Sequence, residues 1–81
     1  MADEQAPFAD VRLEEDGAFS IPELKWREML FVGALRPDGD AFIRDPVRPL
    51  TPFVEPDLFP EGVRLVATRR LGRVVIRRFP E

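Results

Sequence analysis

Few side chains in this chain could perform covalent or acid–base chemistry. It has no histidine, cysteine, tyrosine or asparagine; Ser20 is its one serine, Thr51 and Thr68 its threonines, and Gln5 its one glutamine. A Ser-His-Asp or Cys-His nucleophile is excluded, because neither the imidazole base nor the thiol exists. The usual tetrahedral zinc site falls with them. Lys25 is the only lysine, so a Schiff-base reaction would rest on one amine beside Trp26. A solvated charge is the simpler reading. Carboxylates cluster at Glu14, Glu15 and Asp16 and again at Asp38 and Asp40. General acid–base work or Mg²⁺ binding would need them in a cleft, yet both groups sit in turn sequences, where solubility and turn geometry account for them. Gly39 and Gly72 are isolated turn glycines, not a phosphate-binding loop. The inventory predicts no enzyme, no cofactor, no metal and no small-molecule substrate.

The arginines are the best candidate for a polar site. Arg64, Arg69, Arg70, Arg73, Arg77 and Arg78 crowd the last 20 residues, giving that segment a charge of +5. Residues 1–24 carry −6 and residues 25–61 carry −2, for a net charge of −3. A basic β-ribbon could track phosphates. Only Phe79 lies among these arginines, however, whereas single-strand binders interleave aromatics. The acidic net charge is also unlike that of most nucleic-acid-binding domains. The competing expectation is pairing with Glu14, Glu15 and Asp16, or with a partner's acids. Within this segment Leu71 to Ile76, LGRVVI, resembles part of the swapped-hairpin DNA-binding family of AbrB-like transition regulators, in which proline and a basic helical stretch follow. Arg77 stands where that family has proline, so no fold or function is carried over.

Apolar contact potential gathers elsewhere, between Asp45 and Glu61. Five of the nine prolines fall in this stretch (Pro46, Pro49, Pro52, Pro56 and Pro60). Each lacks a backbone N–H and holds φ near −65°, which excludes helix and interior strand. The first three are spaced by three, the period of a polyproline II helix. That period aligns Val47, Leu50, Phe53, Pro56 and Phe59, and Val54 and Leu58 add further apolar surface. An ordinary flexible linker is polar. Residues 45–61 therefore read as an extended arm that docks on something, with Val47, Leu50, Phe53, Val54, Leu58 and Phe59 as partner-binding candidates. The expected division has Val47 and Leu50 on the chain's own domain and Phe53 and Phe59 on a neighbour.

The elements that would position these groups are mostly β. Residues 1–7 read as a disordered leader and residues 8–81 as a single small β domain. Alternation from Phe8 to Leu13, then Glu15-Asp16-Gly17, then Ala18 to Ile21 predicts a hairpin with Leu13 opposite Phe19. Residues 21–31 are ambiguous. Ser20 and Glu23 have capping-box spacing and Pro22 suits a first helical turn; a strand would instead align Leu24, Trp26, Leu30 and Val32. Pro37-Asp38-Gly39 predicts a three-residue loop with Arg36 opposite Asp40. The hairpin it closes is apolar on both faces, and the arm follows as a candidate cover. The last hairpin admits two registers. A three-residue loop at Arg70-Leu71-Gly72 competes with a four-residue loop, which gathers Val63, Leu65, Ala67, Val74 and Ile76 and sends Arg64, Arg70, Arg73 and Arg77 to the other face. A one-residue slip exchanges the faces. The predicted fold is all-β, or β-rich with one short helix near residues 21–31: a small barrel or sandwich of three hairpins with a proline-rich extended arm.

At 81 residues a chain buries only roughly 60% of its unfolded surface and is marginal alone. No cysteine is present to staple it. A protein partner or a homo-oligomer is therefore expected. No apolar run approaches the ~18 residues of a membrane span, and the acidic start MADEQAPFAD lacks a signal peptide's basic and apolar regions. The expected location is cytoplasmic, or within an intracellularly assembled particle. The function expected from all this is a non-enzymatic accessory or structural subunit of a larger assembly, such as a virion or injection machine, docking through the arm. The alternatives are a nucleic-acid-associated or regulatory protein using the C-terminal arginines, and an inhibitor presenting the acidic N-terminal strand.

Overall fold

The structure, a computed structural model, describes residues 10–50 and 54–79; the expected leader and Phe53 lie outside them. Six antiparallel strands form one sheet in the order β1-β2-β6-β5-β4-β3. They are β1 (Arg12–Leu13), β2 (Phe19–Pro22), β3 (Leu35–Asp38), β4 (Ala41–Arg44), β5 (Arg64–Arg70) and β6 (Arg73–Phe79), with the helix α1 (Glu23–Phe31) between β2 and β3. The fold is thus β-rich with one short helix, built from three hairpins. The sheet stays open, with β1 and β3 as its edges. It is neither a closed barrel nor a two-sheet sandwich, because α1 and the arm supply the second layer. Both edges are poor templates for further pairing: β1 has two residues and β3 contains Pro37.

Local sequence explains most of the elements. In the first hairpin Leu13 pairs with Phe19, as the alternation predicts. Residues 23–31 resolve as helix, but the expected capping box does not form. Ser20 belongs to β2, and Pro22 occupies the helix N-cap without a side-chain cap. The Glu23 N–H instead donates to the Gly72 carbonyl, 2.9 Å away, so the neighbouring hairpin satisfies the helix start. A helix wins over a strand because it buries Trp26 and Met29 together; the strand pattern would have needed Leu24 inside, and Leu24 is exposed. The C-terminus closes in a Schellman motif: Ala34 N–H to Met29 O at 2.9 Å and Gly33 N–H to Leu30 O at 3.1 Å.

The second hairpin corrects the expected register. Asp38 pairs with Ala41 and Arg36 with Ile43, across a two-residue Gly39-Asp40 turn. Gly39 has φ 67° and Asp40 has no positive φ, which matches a type II′ turn, whose backbone twist fits that of the flanking strands. In the third hairpin Arg69 pairs with Val74, the register of the four-residue loop, and Arg70 with Arg73 closes one further pair. The remaining Leu71-Gly72 turn has φ 47° and 83°, the two positive values of type I′.

The core lies on one face of the sheet. Ile21, Leu65, Val74 and Ile76 meet Trp26 and Met29 of α1 and Leu50, Val54 and Phe59 of the arm. The Phe59 ring stands edge-on to Phe19 at 5.5 Å, and Trp26 edge-on to Phe42 at 5.0 Å. The arm is not an extended rod. Val54 N–H reaches Leu50 O at 3.3 Å, and a 3-10 turn at Pro56–Leu58 follows. Polyproline II carries no such internal bonds. These turns take Val54, which lies off the period-three stripe, into the core and leave Val47 outside. Guanidinium groups pin the arm: Arg44 Nη1 donates to Phe59 O at 3.1 Å and Arg48 Nη1 to Val32 O at 2.9 Å.

Candidate interaction surface

The register of β5 and β6 puts Arg64, Arg70, Arg73 and Arg77 on the face away from the core. Each is already engaged within the chain. Arg73 is the most enclosed. Its Nε donates to Ser20 Oγ at 3.0 Å, and its Nη2 to Ser20 O at 2.9 Å and Asp10 O at 2.8 Å. Arg70 pairs with Glu14 at 3.1 Å. Arg77 donates from Nε and Nη2 to Asp16 Oδ2 at 3.0 and 2.8 Å. That bond, with a weaker one from the Ala18 N–H, holds the Asp16 carboxyl below its ordinary pKa. Arg64 pairs with Asp38 at 3.3 Å, its guanidinium 5.4 Å from the Phe79 ring centre. Arg69, on the other face, pairs with Glu23 at 3.2 Å. Arg78 is exposed and makes no ion pair among the described residues.

The basic C-terminal hairpin and the acidic N-terminal segment therefore neutralise each other, through Glu14 and Asp16 as expected. Glu15 takes no part in these bonds among the described residues. Asp10 takes the place that sequence reasoning assigned to Glu15, and the available signal was its even spacing from Glu14, which puts both on one side of an extended chain. Lys25 is paired with Glu28 at 3.3 Å. No three carboxylates among the described residues gather as a metal site.

Of the arm residues, Leu50, Val54 and Phe59 are fully buried in their own core and Leu58 packs against it. Leu50 thus lies on the chain's own domain as expected, whereas Phe59 and Val47 reverse the expected division. Phe59 does not reach outward, because it follows the 3-10 turn at Pro56–Leu58 with its ring packed against Phe19. Val47 alone of the described candidates faces solvent, 83% exposed. Sequence reasoning missed the larger apolar surface, the outer side of α1. Phe31 is 90% exposed and Leu24 64% exposed, and they line one shallow groove with Arg27, Glu28 and Val32. The signal was present: Leu24 and Phe31 are seven residues apart, two helical turns, opposite Trp26. It could be used only once helix was chosen over strand. Asp45 N–H bonds to Ala34 O at 2.9 Å and Arg48 Nη1 to Val32 O at 2.9 Å, which ties the segment carrying Val47 to the loop after α1.

Fold and surface together define a small antiparallel β protein with one helix, an ion-paired arginine face and an apolar helix face. Comparison with family models, curated proteins and solved structures finds no match to this chain. No helix among the described residues is long and apolar enough to cross a membrane.

Proposed function

We propose that this protein is a non-enzymatic accessory or structural subunit of a larger protein assembly and works by contact. The observation that carries this reading is the apolar strip on the outer side of α1, with Phe31 90% exposed. A small domain gains nothing in solubility or stability from a phenylalanine held in water, whereas a contiguous apolar strip flanked by charges suits a protein interface. The contact surface moves from the arm, which the chain uses to complete its own core, to α1 and Val47. The residue inventory supports a non-enzymatic reading, since it offers neither an imidazole base nor a thiol. The arginine hairpin gives less support to nucleic-acid binding, because its guanidinium groups already hold carboxylates.

The test is the size of the complex in the native source. The chain is expected to elute well above the mass of a 9.3 kDa protein or its dimer, and Phe31→Asp to release it into a small free fraction. An endogenous chain that elutes at its own mass or twice that mass overturns the reading.

A further inference from the structure

We infer that the outer face of α1 pairs with the same face of a second copy of this chain, the two helices running parallel about a two-fold axis. This rests on the reading of the protein as a contact-working subunit and names one of its contacts. At about 100° per residue, Leu24 and Phe31 share one line down the helix. Arg27 lies roughly 50° to one side of that line and Glu28 roughly 50° to the other. The strip thus has an apolar seam and flanks of opposite sign. A two-fold axis parallel to the helices brings Leu24 against Leu24 and Phe31 against Phe31. It also faces each Arg27 with Glu28 of the other copy, twice per dimer. An antiparallel pair would instead face Arg27 with Arg27 and Glu28 with Glu28. Charge therefore selects the parallel arrangement, as it does for the flanking positions of coiled coils. Arg27 makes no ion pair among the described residues; Glu28 holds Lys25 of its own helix through Oε1 at 3.3 Å, which leaves its second carboxylate oxygen, Oε2, for Arg27 of the other copy. The seam spans seven residues, about 10 Å, a short contact that makes the pairing a weak one. The expected dissociation constant is on the order of 0.1 mM.

Sedimentation equilibrium on the purified chain tests the pairing. The mass is expected to rise from monomer toward dimer as concentration passes about 0.1 mM. Phe31→Asp should abolish the rise. Arg27→Glu and Glu28→Arg should each weaken it about five- to tenfold, because each change breaks two symmetric ion pairs, and the double variant should restore it. The chain has no cysteine, so Leu24→Cys reports orientation directly. The parallel pair should oxidise to a disulfide dimer, whereas an antiparallel pair sets position 24 against Phe31. Circular dichroism at low concentration checks that each variant is folded, which is expected because all four side chains are outside the core. A wild-type chain that stays monomeric at about 1 mM, a double variant no better than the singles, or a Leu24→Cys variant that does not cross-link overturns the proposal. Self-pairing and the subunit reading fail separately: a monomeric purified chain removes the first, and a native complex no larger than a dimer removes the second.

Discussion

Leu71 is the one non-glycine residue with positive φ among those described, at 47°, and its side chain is 98% exposed. An L-residue with a bulky side chain in the left-handed region is disfavoured, and asparagine is among the few that adopt it readily. Leu71→Asn is expected to raise stability by about 0.5–1 kcal/mol, read as a higher urea midpoint with an unchanged slope. Asp16 acts through charge. Its pKa is lowered in the folded state by the Arg77 hydrogen bond, so the native protein binds fewer protons there than the unfolded chain. The stability this contributes is present above the ordinary carboxylate value of about 3.9 and is lost as pH falls through the lowered native value. Asp16→Asn should therefore flatten the melting-temperature profile below about pH 4 and leave the shape of the profile above it unchanged. A steep acid limb that survives the substitution would remove Asp16 from the account.

The arm is the element whose role changed most. Phe59, which was expected on a neighbour, closes the chain's own core together with Leu50 and Val54. Removing one should act on folding, not on binding. Phe59→Ala is expected to cost about 3–5 kcal/mol and Leu50→Ala about 2–5 kcal/mol, comparable with the whole stability of a small domain. Urea titration would show both, whereas Val47→Ala at the exposed end should change stability by less than about 0.5 kcal/mol. If Phe59→Ala folds as well as wild type, the arm does not dock on its own sheet. The helix is the complementary case. It needs the sheet for its N-terminal cap and for Trp26 and Met29, yet it leaves Leu24 and Phe31 in water.

At the scale of the whole molecule, Arg70, Arg73 and Arg77 of the basic hairpin meet Glu14, Asp10 and Asp16 of the acidic segment on one sheet face. The ion pairs there are largely exposed, and each contributes little to stability. Together they occupy the guanidinium groups that a polyanion would need. Duplex DNA is expected to show no retardation by the wild-type protein at physiological salt. Replacing Asp10, Glu14 and Asp16 together by their amides should uncover weak binding that falls steeply with added salt. Wild-type binding of the same strength would return the arginine hairpin to the functional site.

Much of this was legible in the residues. The absence of histidine and cysteine excluded a Ser-His-Asp or Cys-His nucleophile, and the turn glycines and alternating apolar positions located three hairpins. The last hairpin admitted two registers, and the one formed is the one that separates Arg64, Arg70, Arg73 and Arg77 from Leu65, Ala67, Val74 and Ile76. The rest depended on contacts between distant segments. Helix or strand at 23–31 was decided by whether Trp26 and Met29 could be buried together, and the helix start by a carbonyl at Gly72. The arm's partner was decided by space over Ile21, Val74 and Ile76 that only the assembled sheet defines. Local pattern determines which side chains must leave water. The surface that receives them, this chain's or another's, is created only when the sheet forms.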